Sequence, residues 1–297
     1  MSEVLKRGVS GSRMLVVAAG VLFGLGLFLF GLNLAGLFLP LRGPGLEEEK
    51  TLFKDDITIS AEEALSELSR RPGEPVEDYV NRAVLAVNRA MAHHWSERDR
   101  DKYRLRVPAR ENYLLWLQAF LDPDRYRLYE FADYRKAIER GLGLCSQQVL
   151  ALAGALEENG VEAEIIVLGG HVVARVKVED GRWITADPDY GLVIPHDVFE
   201  LSARPHLVRR YYRGVEEMYR EGVKGYSADE LAEIYGPEGN LRIRLGVLGY
   251  LGPERVAFER RSYLAIWLLP AILCLPLVLL ALVRLGRRRR ENPVRNP

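Results

Sequence analysis

Cysteine is scarce in this sequence: Cys145 and Cys274 are the only two among 297 residues. That excludes a small scaffold stapled by disulfides. Net charge is absent as well, since 41 Lys+Arg offset 41 Asp+Glu. The chain has no phosphate-binding glycine loop, no dinucleotide fingerprint, no internal repeat and no low-complexity segment, so no motif calls for a nucleotide cofactor. With 48% apolar and 28% charged residues it is neither collagen-like nor wholly disordered. The most telling absence is local. Residues 14–40 contain no charged side chain, and neither do residues 263–283.

A helix needs roughly 20 apolar residues to cross a bilayer, so both stretches are expected to be membrane spans. The first is too long for the apolar region of a cleaved signal and ends in Leu39-Pro40-Leu41-Arg42 rather than in small residues, which favours an uncleaved anchor. Lys6, Arg7 and Arg13 precede it, and Arg284 and the run from Arg287 to Arg290 follow the second. Basic flanks stay in the cytoplasm. The expected organisation is a cytoplasmic N-terminus (1–13), a span (14–40), an exterior domain (43–262, core about 110–195), a span (263–283) and a basic cytoplasmic tail (284–297), the domain being periplasmic or extracellular. The arginine run reads as a topological signal rather than a nucleic-acid patch. Residues 1–42 carry net +3 and 263–297 net +5, which leaves −8 for the domain. In the first span Gly20 and Gly24 have the spacing of a helix-packing motif, compatible with a homodimer through that span.

The domain opens with helical patterns: 60–72 behind the capping-box pattern Ser60-Ala61-Glu62-Glu63, then 75–95, 113–121, 134–140 and 145–158. The linker Arg42-Gly43-Pro44-Gly45 and the acidic run Glu47–Glu49 precede them. The period then changes. Residues 163–168, 171–178 and 183–187 read as strands, 207–219 and 227–235 as helices, and 242–249 as a late strand or linker. Helices, then strands, then helices predict an α+β domain.

Cys145 holds the chemistry. In an exterior domain a cysteine ordinarily has a disulfide partner, yet Cys274 lies inside a span. The lone thiol follows Gly141-Leu142-Gly143-Leu144 and opens a helix, where the dipole and free N–H groups favour a thiolate. A nucleophilic thiol wants a base, and the base an orienting group. His171 starts one strand and Asp187 ends the next. With a three-residue loop, Glu179-Asp180-Gly181, Val178 pairs with Arg182. Val172, Ala174, Val176, Val178, Ile184 and Ala186 then share one face, and His171 and Asp187 the other, within diagonal reach. Asp189, directly opposite His171 in that register, is the fallback for Asp187.

Gly143-Leu144-Cys145 opening a helix, then the run Gly170-His171-Val172-Val173-Ala174-Arg175-Val176, then Gly181-Arg182-Trp183-Ile184-Thr185-Ala186-Asp187-Pro188, together resemble the transglutaminase-like superfamily of papain-like cysteine enzymes. The resemblance covers about residues 142–191. It implies a Cys-bearing helix on an antiparallel sheet, with Cys145 as nucleophile, His171 as base and then acid, and Asp187 orienting His171, without metal or cofactor. The implied chemistry is acyl transfer or hydrolysis at an amide through a thioester, on a protein, peptide or cell-envelope substrate. A non-catalytic envelope scaffold of the same fold is the alternative. The Cys145 N–H is the expected half of an oxyanion hole, with Trp116, Gln118 or Tyr113 as candidates for the other half. Gln147 and Gln148 are expected on the helix surface, His93-His94 as a solvated pair, His196 and His206 as isolated, and Tyr126, Tyr129, Tyr134, Tyr211 and Tyr212 as core packing rather than a ligand rim.

Overall fold

A computed structural model describes residues 2–46, 51–236 and 240–291; the acidic run Glu47–Glu49 and the end of the basic tail lie outside them. The helices and strands, numbered in chain order, begin with α1 (Ser2–Phe38), α2 (Ala61–Glu67), α3 (Val76–Ala90), β1 (Ala92–His93), α4 (Ala109–Leu121), α5 (Pro123–Tyr126) and α6 (Tyr134–Arg140). Then come β2 (Leu142–Gly143), α7 (Cys145–Glu158), β3 (Ala163–Val167), β4 (Val172–Lys177), β5 (Trp183–Asp187) and β6 (Leu192–Ile194). The chain continues with α8 (Val198–Ala203), α9 (Pro205–Tyr211), α10 (Ala228–Ile234), β7 (Leu241–Ile243), α11 (Gly246–Leu251) and α12 (Pro253–Glu291).

The chain divides into two compact units. One contains the long terminal helices together with Pro108–Leu117. Two helices are long and apolar enough to cross a membrane: Met14–Phe38 within α1, and α12, which starts at Pro253, ten residues before the expected span. α12 carries Pro270 and Pro276. A proline has no N–H to give the carbonyl four residues back, so Pro270 frees the Ile266 oxygen. Two side chains take it up: Asn33 Nδ2 at 2.5 Å and the Tyr113 hydroxyl at 3.1 Å. Where α1 and α12 meet, the small residue is Gly26, whose missing Cβ makes room for the Pro270 carbonyl and Cys274; Gly20 and Gly24 have nothing within 4 Å of a Cβ position.

The second unit spans Pro40–Val107 and Gln118–Glu259. Its centre is a five-stranded antiparallel sheet in the order β6-β5-β4-β3-β7. The mixed α+β class predicted from the element order is therefore present. The β4–β5 hairpin has the three-residue loop: Val178 N–H donates to the Arg182 carbonyl at 2.9 Å, and Gly181 adopts φ +79°. α3 and α7 pack on the sheet. Ile166, Val173 and Ile194 of the sheet join Val198, Leu201, Val208, Tyr212, Leu231 and Tyr235 from the chain after β6 in one apolar cluster. The sheet is thus covered on both faces, which is why Thr185 and Asp187 are buried along with Ile184 and Ala186. Polar members of the sheet are satisfied within the protein: Arg175 pairs with Glu164 and Asp197, and the Thr185 hydroxyl donates to the His196 carbonyl at 2.8 Å.

Several expectations about local structure need correction. The helix over 75–95 ends at Ala90, because Met91 turns extended (φ −128°, ψ 124°) and residues 92–93 form β1 instead. That strand pairs in parallel with β2, placing His93 beside Gly143. The expected linker at 42–45 is packed into the unit: Leu41 and Leu46 are buried, and Arg42 Nη2 donates to the Ala90 carbonyl at 3.1 Å. The helix over 207–219 breaks into α9 and a 3-10 turn at Val215–Met218, since Gly214 adopts φ +84°. Residues 242–249 divide between β7 and α11.

Candidate active site

Leu144, the residue before α7, has no side chain to cap the helix. The N–H groups of the first turn, including that of Cys145, are left without a capping side chain. Gly143 is required by close approach: a Cβ there would collide with Gln147 Cβ. Cys145 is partly exposed and has no disulfide partner.

His171 and Asp187 meet as the hairpin register predicts. His171 Nε2 lies 2.7 Å from Asp187 Oδ2, both side chains being essentially buried. The Cys145 side chain acts on the same imidazole electrostatically. Burial works against a charged imidazole, but the Asp187 carboxylate, by charge and by hydrogen bond, and the Cys145 sulfur outweigh it and hold the His171 pKa well above the ordinary histidine value. Asp187 is itself fixed from three sides. Its Oδ1 accepts the Asp189 N–H at 3.1 Å, and Oδ2 accepts the Tyr212 hydroxyl at 2.6 Å, which in turn lies 2.8 Å from the Tyr235 hydroxyl. Burial, and next the Asp187 charge, keep Tyr212 protonated far beyond the usual phenol range, so it stays a donor. The Tyr190 ring meets the His171 ring edge to face at 5.5 Å.

The fallback carboxylate has a different partner. Asp189 Oδ1 lies 2.7 Å from His93 Nδ1 and accepts Gln148 Nε2 at 2.7 Å. This overturns two expectations. His93 is not part of a solvated pair: its side chain is only 20% exposed, because β1 holds it against the loop before Cys145. His94 faces Asp99 instead, at 3.5 Å. Nor do Gln147 and Gln148 lie on the surface. Gln147 is fully buried, accepting from the Phe131 N–H at 2.7 Å and Arg140 Nη2 at 2.9 Å, while Gln148 reaches Asp189. Burial opposes charge on His93, and Asp189 outweighs it, so the His93 pKa is raised. A second His–Asp pair therefore stands beside the first, joined to it by the Asp189 N–H that Asp187 accepts. An extended residue in parallel register with Gly143 would have been the only sequence signal for it.

Of the upstream oxyanion candidates, Tyr113 has its hydroxyl on the Ile266 carbonyl, Gln118 is half-buried and Trp116 is exposed. A group near the site that the sequence did not point to is Tyr250 of α11. It feels the Cys145 sulfur electrostatically; burial, and next the Glu130 charge, push its pKa up to about 12. Ser146 Oγ donates to Glu130. Tyr126, Tyr129, Tyr134 and Tyr212 are core residues, as expected, and Tyr211 is half-buried. His196 is not isolated, its Nδ1 lying 3.0 Å from Glu200 Oε2.

A thiol at a helix N-terminus with no capping side chain, and near it an imidazole held by a buried carboxylate, can perform nucleophilic substitution at a carbonyl. No family model matches this chain, and no curated protein or solved structure does either.

Proposed function

We propose that this protein is a membrane-anchored cysteine enzyme of the transglutaminase-like kind, acting on an amide of a protein, peptide or cell-envelope substrate. The observation that carries the proposal is the buried imidazole of His171, whose Nε2 lies 2.7 Å from Asp187 and which also feels the Cys145 side chain. Cys145 sulfur attacks the carbonyl carbon while His171 holds the proton, and the Cys145 N–H receives the developing oxyanion. His171 then protonates the departing amine, leaving a thioester. Water or a second amine, deprotonated by the same imidazole, attacks the thioester and releases the thiol. Asp187 keeps the ring oriented and stabilises its charge. The two apolar helices are read as spans with both basic flanks in the cytoplasm, and the domain between them as periplasmic or extracellular.

The test has two parts. Iodoacetamide should label Cys145 faster than a model thiol at neutral pH, and a cell-envelope extract should leave an acyl group on Cys145 that mass spectrometry of the trapped thioester identifies. Cys145→Ala should abolish both while leaving the fold intact. If Cys145 reacts no faster than a model thiol and Cys145→Ala retains wild-type function in cells, the enzymatic reading falls and a non-catalytic envelope scaffold takes its place.

A further inference from the structure

α4 contains ten consecutive uncharged residues, 112–121, bracketed by Arg110 and Glu111 on one side and Asp122 and Asp124 on the other. Its helix has an apolar side toward the protein, where Leu115 and Ala119 are buried. The other side is apolar as well: Trp116, Leu117, Phe120 and Leu121 are 36%, 46%, 53% and 67% exposed. At 100° per residue, positions 116, 117, 120 and 121 form one continuous flank. An exposed helix flank as apolar as that of Trp116 and Leu117 does not suit a solvated surface.

The start of this helix is fastened to both long helices at one level. Asn112 Nδ2 donates to Ser262 Oγ at 2.8 Å, the Tyr263 hydroxyl donates to Glu111 Oε1 at 2.8 Å, and the Tyr113 hydroxyl reaches the Ile266 carbonyl. On α1, Gly36 leaves the space that the Arg110 carbonyl occupies. Tyr263 and Ile266 stand where the charge-free stretch of α12 begins, and Gly36 stands near the end of the charge-free stretch of α1. Three residues of helix are about 5 Å, so Tyr113 is tied roughly one turn inside the boundary. Interfacial helices bury their apolar faces about 5–10 Å into the layer between headgroups and acyl chains, and Trp is favoured there.

We propose that residues 113–117 of α4 lie in the interfacial layer of the bilayer, with Trp116 and Leu117 covered by phospholipid. The occupant follows from continuity: this flank leaves the two helices at the level where their own lipid-facing surfaces begin. The proposal rests on reading α1 and α12 as spans, and its test separates the two. The full chain is placed in phospholipid nanodiscs whose acyl chains are brominated at shallow or deep positions. Single-tryptophan forms keep either Trp116 or Trp267, with the other three tryptophans changed to Phe. Trp116 emission should be lost with shallow bromines and spared by aqueous iodide, while Trp267 is quenched by lipid as well. If Trp267 is quenched by lipid but Trp116 only by iodide, α4 is in water and the proposal fails while the spans stand. If Trp116 is quenched by neither, a second copy or another protein covers the flank, and the proposal fails. If lipid does not quench Trp267, the spanning reading fails first. Because removing Trp183 or Trp95 could disturb folding, a nitroxide on Leu117→Cys in a Cys145→Ala, Cys274→Ala background gives a second reading: dissolved oxygen should relax it more than an aqueous nickel chelate, and the reverse order overturns the proposal.

Discussion

At the scale of single residues, the site depends on charge held in a dry place. His171 and His93 each have a folded-state pKa raised above the ordinary value of about 6.5. A raised histidine pKa means that the native state binds the proton more tightly than the unfolded chain. The stability contributed by each pair is fully present below about pH 6.5 and is lost as pH rises through the folded value. The thermal midpoint of the wild type should therefore fall as pH rises above about 6.5, and the fall should flatten when both residues are replaced by Asn; an unchanged slope in that double variant would show that the two pairs are not the source. His171→Ala should also reduce turnover by about 10²–10⁴-fold, the usual contribution of a positioned acid–base group, measured on whichever substrate acylates Cys145. Cys145, His171 and Asp187 were all legible in the sequence because each stands at an element boundary marked by glycine or by a strand's alternation. His93 and Asp189 were not. Their pairing needs a strand of two residues, too short to leave a period.

Secondary-structure elements carry two further tests. Gly143 touches Gln147, which cannot yield because Phe131 and Arg140 hold its amide. Gly143→Ala should cost about 1–3 kcal/mol of stability through overpacking and slow the labelling of Cys145, whereas Gly181→Ala, in the hairpin loop with open space around it, should leave labelling unchanged. The second concerns the Ile266 carbonyl. In α12 it lacks a backbone partner because of Pro270, so Asn33→Ala should cost about 0.6–1.7 kcal/mol, the range for hydrogen bonds between membrane helices. In a Pro270→Ala background the restored N–H takes that carbonyl and the same substitution should cost little; equal costs in both backgrounds would refute the coupling. Elements with clear ends were easiest to foresee: α6 opens behind the Asp133 cap and stops at Gly141, α7 stops before Gly160, and the Ser227–Glu230 capping box opens α10. α8, β6 and β7 are too short to show a period, and their packing partners, not their sequences, decide them.

For the molecule as a whole, averaging hides the organisation. A balanced charge divides into basic flanks of +3 and +5 and a middle of −8. Read as topology, this places both ends in the cytoplasm. Alkaline phosphatase fused after residue 120 should be active and, fused at the C-terminus, inactive; the opposite pattern would overturn both the orientation and the argument that Cys145 is a lone thiol in an oxidising compartment. The α+β class could be read from the order of periodic segments. The cover over the second face of the sheet could not, because Tyr212 and Tyr235 resemble any other core tyrosines until Asp187 is seen between the hydroxyl and the imidazole.

That hydroxyl sets an order in time. Cys145 and His171 are synthesised well before Tyr212, and Tyr235 later still, so a growing chain that has reached only the sheet carries the sulfur and its base without the phenol that donates to Asp187. The thiol is made early and the last hydrogen bond around it late. A polypeptide interrupted before α9 would hold Cys145, His171 and Asp187 without the hydroxyl that donates to that carboxylate, which only completion of the last helices supplies.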